Sequence, residues 1–220
     1  VLPRVWRDRD EPALRTLLER ARALGFTGVL IGNLGHLPLV RGLNFHLYGD
    51  YGLNVFNSRS LAYLKDKELE SACVSFELRF AQIRDLKKVL RAEAIVYGRL
   101  PLMITENCLV QKETGCRLDR QGPCVPEDGP CRCGQPNVLV DRTGAAFPLL
   151  PAYGHRTEIQ NSKPLYLADR PEHRRLGLAY ARLRFTTETA EECVSVVQNY
   201  LDAAPAAGDF TRGLYERGVE

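Results

Sequence analysis

Residues 71–100, SACVSFELRFAQIRDLKKVLRAEAIVYGRL, decide the fold of this chain. They contain two apolar runs, 71–78 and 93–100, that are typical of strands, and between them a segment, 80–91, that is typical of a helix. A strand, a helix and a second strand in this order predict a βαβ unit, in which the two strands lie parallel in one sheet.

The same alternation extends to both sides of this unit. Further strands are predicted at 2–6, 27–33, 45–57 and 179–186. Helices are predicted at 12–25, at 58–69 with Ser58 as the N-cap, and at 188–204 with Thr187 or Thr189 as the N-cap. These strands are too few for a closed (β/α) barrel, which needs about eight. We therefore predict an α/β fold, an incomplete TIM-like (β/α) barrel that lacks its first two strands. An open doubly wound sheet is the alternative.

Changes in the residue pattern along the sequence divide the chain into four regions. They are barrel βα units at 1–104, a Cys-rich loop and β-hairpin insert at 105–170, the last barrel strand and helix at 171–204, and an exposed or partner-bound tail at 205–220. Within the insert, 137–150 is predicted to form a hairpin that turns at 141–144.

The first residue bears on what surrounds this chain. Because residue 1 is Val rather than an initiator Met, we expect a piece of a longer polypeptide. The missing strands would lie in the upstream half of the same barrel or on a partner subunit. Open sheet edges also favour a homodimer.

Composition excludes several classes of protein. The 220 residues include 30 Lys and Arg against 27 Asp and Glu, and the resulting net charge of +3 is too small to indicate nucleic acid or an anionic membrane. Hydrophobic residues make up 45% of the chain, which excludes wholesale disorder. No apolar run approaches the roughly 20 residues of a transmembrane helix. We expect a cytoplasmic protein with no membrane partner.

The cysteines point to a metal. Their number, seven, is odd and excludes a complete set of internal disulfides. Cys73 and Cys193 lie in periodic apolar segments and are predicted to be buried thiols. The other five lie in a stretch rich in Gly and Pro that has too few apolar residues to order itself, so bonds between thiolates and a metal are expected to hold it. They are Cys108, Cys116, Cys124, Cys131 and Cys133.

The spacing of these five cysteines does not identify which metal they bind. It is C-x7-C-x7-C-x6-C-x-C, which does not match the C-x2-C pairs of zinc ribbons. Four of the thiolates can hold Zn²⁺ or an iron–sulfur cluster. His155 follows the cysteines closely and is a further candidate ligand. The remaining alternative is a set of free loop thiols.

Polar residues follow the predicted strands, at the end where parallel barrels carry their function. Glu77 and Arg99 lie on adjacent strands, where they can form an ion pair or where Arg99 can clamp an anionic ligand. We take both as candidate catalytic residues. The candidate substrate-binding residues are three amides, Asn33, Asn54 and Asn57.

The other histidines and motifs add little chemistry. His36 and His46 are predicted to lie at the mouth of the barrel, and His173 is predicted to be solvated. The sequence contains no G-x-S-x-G or H-E-x-x-H motif, and so no protease triad or zinc-peptidase helix is recognised. It also lacks a glycine-rich phosphate loop, so no nucleotide cofactor is expected.

Six stretches together resemble the collagenase-like peptidase family (family U thirty-two). In chain order they are GDYGLNVFNS, VSFELR, YGRLPLMITENC, LVDRTGAAFPLL, RTEIQNSKPLYL and FTRGLYERGV. The resemblance covers essentially the whole chain. It implies a (β/α) barrel-like core whose early strands precede Val1.

The resemblance also implies a ligand set. Relatives that act in oxygen-independent hydroxylation of RNA or of the ubiquinone ring share four cysteines that bind a 4Fe–4S cluster. The first two match Cys108 and Cys116, and the third is matched by Cys133, with Cys131 next to it. At the fourth place this sequence has His155. A Cys₃His site, replacement by Cys124 or Cys131, loss of the cluster, and zinc all remain open.

Three functions follow from these observations. The first is an iron–sulfur enzyme that hydroxylates an RNA base or another ring without oxygen. The second is the peptidase that the family name states, in which zinc activates water and Glu77 acts as general base. The third is a non-catalytic, metal-stapled C-terminal module that docks on the rest of a barrel.

Overall fold

The computed structural model describes residues 1–114 and 135–219. Its strands are β1 (Gly28–Ile31), β2 (His46–Gly49), β3 (Leu69–Cys73), β4 (Arg91–Gly98), β5 (Pro101–Thr105), β6 (Asn137–Val140), β7 (Ala146–Ala152), β8 (Arg156–Gln160), β9 (Leu165–Tyr166) and β10 (Tyr180–Leu183). Its helices are α1 (Glu11–Ala23), α2 (Leu37–Val40), α3 (Ser58–Asp66), α4 (Phe80–Asp85), α5 (Leu109–Thr114) and α6 (Ala190–Asp202).

The larger sheet is mostly parallel. Its strands lie in the order β1-β2-β3-β4-β10, each parallel to its neighbour, and β9 pairs antiparallel with the end of β4. Neighbours in this sheet follow the order of the chain, without the reversal that defines a doubly wound sheet. Among the described strands β1 and β10 remain at the two edges, so the structure shows a mixed α/β fold and no closed barrel.

The predicted strand at 2–6 is wrong. The backbone N–H of Leu2 donates to the carbonyl of Leu30 at 3.0 Å, but the pairing goes no further. Pro3 has no N–H to donate, and the carbonyl of Arg4 accepts from the side chain of Asn33 at 3.2 Å. This segment therefore lies beside β1 without joining the sheet.

The larger sheet is strongly curved. Arg182, on β10, bonds to Asp50, which follows β2, although β3 and β4 lie between the two strands. In a flat sheet three strand spacings amount to about 14 Å, more than an Arg and an Asp side chain span together. Curvature of the sheet therefore brings the ends of β2 and β10 together.

The helices pack on this sheet through some of their apolar residues, whereas Leu17 and Leu24 of the predicted helix 12–25 are exposed. Leu14 and Leu18 of α1 and Leu61 and Leu64 of α3 are buried. The N-cap of α3 is Asn57 rather than Ser58, because the Asn57 side chain accepts from the N–H of Ser60.

The predicted helix 80–91 is much shorter than expected. The α4 helix ends at Asp85, and Leu86 is already extended, with ψ of 132°. The ammonium group of Lys88 donates to the carbonyls of Ile83, Arg84 and Leu86. These bonds satisfy carbonyl groups that a longer helix would have paired along its own backbone.

The smaller sheet is antiparallel, in the order β5-β8-β7-β6. It contains the predicted hairpin as β6 and β7, paired from Asn137 opposite Leu149 to Val140 opposite Ala146. The turn is stabilised by Asp141, whose Oδ1 accepts from the backbone N–H groups of Thr143 and Ala145 at 2.8 and 2.9 Å.

The C-terminal tail, expected to be exposed or partner-bound, is packed into the core. Tyr215 is 1% exposed, stacks on Phe80 and donates its hydroxyl to the carbonyl of Ile95. Arg212 binds both carboxylate oxygens of Asp169, at 2.6 and 2.7 Å. A buried aromatic side chain and a two-point ion pair thus fix this segment.

Two remaining expectations concern the thiols and the membrane. Cys73 is a buried free thiol as predicted, whereas Cys193 is half-exposed because it lies at the border of the packed face of α6. In the described part of the chain, the helices are all too short or too polar to cross a bilayer.

Candidate functional site

A cleft of about 360 Å³ lies where the two sheets meet. Asp50 and Tyr51, which follow β2, line it on the side of the parallel sheet. Ile104 of β5 and Glu158 of β8 line it on the side of the antiparallel sheet, and residues 1–5 complete the wall. The cleft therefore opens at the carboxyl end of the parallel strands, the end at which α/β proteins bind their ligands.

Tyr51 is held between two guanidinium groups in this cleft. Those of Arg4 and Arg184 lie 5.4 and 5.7 Å from its ring centroid, within the range of cation–π interaction. Glu158 accepts from Arg4 at 3.0 Å, from Arg184 at 3.3 Å and from the Tyr51 hydroxyl at 3.4 Å. Burial and the neighbouring Glu158 carboxylate raise the pKa of Tyr51. The phenol therefore stays neutral and donates a hydrogen bond.

Below the cleft lies a second, more buried group of charges. Arg182 binds Asp50 through one guanidinium nitrogen and Glu93 through another. Burial raises the pKa of Glu93, and it also raises the pKa of the neighbouring Cys73 thiol. Cys73 is therefore a packed thiol with no thiolate character, which excludes it as a nucleophile.

The side chains of two of the three predicted amide residues already form hydrogen bonds with the backbone. The side chain of Asn33 accepts from the N–H of Gly35 and donates to the carbonyl of Arg4. Asn57 caps α3. Asn54 differs from both, because it has left-handed backbone angles, with φ of 47°, and is exposed. It does not line the cleft, and the substrate-binding roles of the three amides stay predictions.

Glu77 and Arg99 are directed to different surroundings. The guanidinium of Arg99 donates to the carbonyls of Asn161 and Ser162 and to the hydroxyl of Thr187, rather than to Glu77. Glu77 lies in the turn after β3, where its N–H donates to the hydroxyl of Ser75. Neither residue lines the cleft. Their catalytic roles stay predictions.

Cys108 and His155 lie at the same end of the antiparallel sheet. Thr105, the last residue of β5, pairs with Thr157 of β8. Cys108 comes three residues after Thr105, and His155 comes two residues before Thr157. Because β5 and β8 are antiparallel, both residues lie beyond this pair at the same end of the sheet. His155 lies in the turn between β7 and β8, with φ of 59°. Cys108 is a half-exposed free thiol. The other predicted ligands, Cys116, Cys124, Cys131 and Cys133, lie outside the described residues.

The chain leaves and re-enters the described region at this same end. α5 starts directly after Cys108 and reaches residue 114. The chain resumes at residue 135, two residues before Asn137 pairs with Leu149. In residues 1–114 and 135–219 taken alone, no three His, Cys, Asp or Glu side chains approach one another as a metal site requires.

The remaining histidines are not where the sequence indicated. His36 is fully buried against Trp6, and His46 is the first residue of β2, at the opposite end from the cleft. His173, predicted to be solvated, is buried beside Tyr200. Each follows from packing between distant segments, which charge and spacing along the chain do not reveal.

Burial lowers the pKa of His36 to about 4, from an ordinary value of 6.5. Below pH 6.5 this imidazole binds a proton in the unfolded chain, whereas in the folded protein it does so only near pH 4. The free energy of unfolding therefore has its full value above pH 6.5 and falls as the pH is lowered toward 4. Between pH 7 and pH 5 we expect His36 to cost about 2 kcal/mol of unfolding free energy. Urea denaturation at both pH values measures this loss. In the control variant His36→Phe the loss should shrink by that amount, and an unchanged loss would contradict the burial of His36.

The residues that form the cleft were missed from the sequence. Arg4 and Glu158, which line the cleft, and Arg184, which binds Glu158, come from three distant segments. Glu158 and Arg184 lie in alternating segments, where a charged residue is equally typical of a solvated strand face.

Together, an open and mostly parallel sheet and a charged cleft at its carboxyl end define an α/β protein of the kind that binds ligands at strand ends. The family model described as Peptidase family U32 matches residues 2–138, more than half of the chain. The chain belongs to this family, as its motifs indicated. No curated protein and no solved structure matches it.

Proposed function

We propose that this chain is an iron–sulfur enzyme of the peptidase U32 family that hydroxylates a ring, most simply an RNA base, without oxygen. The observation that carries the proposal is that Cys108 and His155 both lie at one end of the antiparallel sheet. This end borders the cleft, because Tyr153 and Arg156, which flank the turn containing His155, line it.

The residues at this end fit a metal centre in their chemistry. Cys108 supplies a partly exposed thiol, and His155 is a half-buried imidazole. With Cys116 and Cys133 they would make up a Cys₃His set, for which Cys124 and Cys131 are alternative ligands. Thiolates are the usual ligands of iron–sulfur clusters, and they also hold zinc. When bound, a 4Fe–4S cluster would supply electron transfer at the rim of the cleft.

The protein's own residues would bind and orient the substrate. Arg4 lines the cleft and would supply positive charge to a phosphate group. Asn54, exposed beside the cleft residues Asp50 and Tyr51, would orient the ring by hydrogen bonds. Arg99 would bind an anionic donor of the hydroxyl group.

The curved, open sheet supports the finer prediction of an incomplete barrel. The exposed edge at β10 continues into an apolar stripe on α6, formed by Val194, Val197 and Leu201. We propose that further βα units, from the upstream half of the same barrel or from a partner subunit, pair with β10 and cover this stripe. A homodimer through the same surface is the other arrangement that the stripe permits.

The test is elemental analysis of protein purified without oxygen, combined with a visible spectrum. We expect about four iron and four sulfide per chain, as in a 4Fe–4S cluster, and a brown colour. The variant Cys108→Ser should lose most of the iron. The matched control is Cys193→Ser, which changes a half-exposed thiol on α6 and should retain the iron.

Zinc without iron would overturn the iron–sulfur proposal and favour the peptidase alternative. In that case Glu77→Gln should abolish peptide cleavage, since a general base must activate the zinc-bound water. Cleavage that survives this change would come from a contaminating protease. Protein with neither metal would contradict all three functions, because the non-catalytic module is also held together by a metal.

A further inference from the structure

Arg156 is the most buried charged side chain at this end of the antiparallel sheet, with 2% of its side chain exposed. Its guanidinium binds both carboxylate oxygens of Glu106 in parallel, each at 3.2 Å. Such two-point pairs fix orientation as well as distance. Arg156 directly follows His155, and Glu106 precedes Cys108 by two residues. The pair therefore joins the two strands at the point where both candidate ligands leave them.

The same guanidinium also shapes the turn that contains His155. Its Nη1 donates to the carbonyl of Tyr153 at 3.0 Å. Gly154 lies beneath it with φ of 72°, and a Cβ built at Gly154 would come within 2.7 Å of Nη1. A side chain at this position would strain the backbone, because φ is positive, and it would also collide with the guanidinium. The turn therefore requires glycine. The backbone of His155 is left-handed as well.

Two further bonds hold the segment around Cys108. The hydroxyl of Thr157 accepts from the N–H of Leu109 at 3.0 Å. The hydroxyl of Thr105 donates to the carbonyl of Asn107 at 2.6 Å. Arg7 also binds Glu106, at 2.8 Å. The residues on either side of Cys108 are thus tied to β8 and to the N-terminal segment.

We propose that Glu106 and Arg156 form a positioning clamp, which sets the separation and orientation of Cys108 and His155 as ligands of one metal centre. This inference rests on the metal site of the proposed function. Neither residue of the clamp touches the metal. They act by holding Cys108 and His155 in place. In known metal sites, substitution of residues that hold the ligands lowers metal affinity about 10- to 100-fold.

The test uses Co²⁺ as a probe on the full chain, stripped of metal and kept reduced. Binding of Co²⁺ to thiolate gives a visible absorption band, and competition with a chelator gives its affinity. We expect Arg156→Lys, which keeps the charge but loses the two-point geometry, to weaken Co²⁺ binding about 10- to 100-fold. Glu106→Gln, at an exposed carboxylate that is safer for folding, should weaken it by a similar factor.

The matched control is Arg15→Lys, which changes an exposed Arg that binds Glu11 within α1. Its Co²⁺ affinity should equal that of the wild type. Urea denaturation of each variant separates misfolding from a loss of affinity. Folded Arg156→Lys and Glu106→Gln variants with wild-type affinity would overturn the clamp alone. Wild-type protein that shows no Cys108-dependent Co²⁺ band and contains no iron–sulfur cluster would overturn the metal site itself, so the two failures are distinguishable.

Discussion

The variant Arg182→Met should lose about 3 kcal/mol of unfolding free energy, a large part of the stability of a domain of this size. Arg182 binds Asp50 and Glu93, and the three side chains are only 21%, 13% and 16% exposed. Removal of the guanidinium leaves two carboxylates close together with little water to solvate them. Urea denaturation at pH 7 measures the loss.

The dependence on pH identifies the cause of this loss. Burial already raises the pKa of Glu93, and without Arg182 that pKa should rise further. A carboxyl group whose pKa is raised by folding destabilises the protein as the pH rises through its folded pKa, so the deficit of Arg182→Met should shrink as the pH is lowered. The control Arg84→Met breaks an exposed pair with Asp85 and should cost much less, because water screens an exposed ion pair. Equal losses in both variants would contradict a buried charge network.

The variant Tyr215→Ala should lose about 3–5 kcal/mol, because it empties the space of a fully buried aromatic ring. Tyr215 stacks on Phe80, and its hydroxyl donates to the carbonyl of Ile95. Its own carbonyl accepts from the N–H of Phe80 at 2.8 Å. The C-terminal tail is therefore a structural part of the core beside β4, and urea denaturation of the full chain measures its contribution.

Two comparisons separate the contributions of this tyrosine. Tyr215→Phe keeps the ring and removes the hydrogen bond, and should cost about 1 kcal/mol. Tyr63→Ala changes a tyrosine on α3 that is 46% exposed, and should cost far less than Tyr215→Ala. If Tyr215→Ala costs no more than Tyr63→Ala, the tail does not pack as described.

The charges around Arg182 also hold the base of the cleft in place. Asp50 belongs both to the buried network and to the lining of the cleft, next to Tyr51. Arg182 ties this residue to β10, across the whole curved sheet. Arg184, two residues further along the chain, joins Tyr51 and Glu158. The base of the candidate site is therefore held by charges from both sheets rather than by one loop.

The local elements of the fold could be predicted because their causes are local. The apolar spacing of α1, the capping residues of α6 and the turn of the β6–β7 hairpin all lie within a few residues of one another. Predictions failed where a distant group intervenes. Examples are the burial of His36 against Trp6 and the packing of Tyr215 against Phe80. No periodicity along the chain reports such contacts.

The sequence by itself determined the alternation of strands and helices, the hairpin and the membership of peptidase family U32, and it suggested metal ligands that stay a prediction. The tertiary structure alone decided which charges meet. Arg182 reaches Asp50 because the sheet curves, and Arg4 and Arg184 enclose Tyr51 because two sheets and the N-terminal segment converge there. Hydrophobic patterning specifies which face of an element is buried, whereas the partner of a charged side chain depends on how several elements pack together.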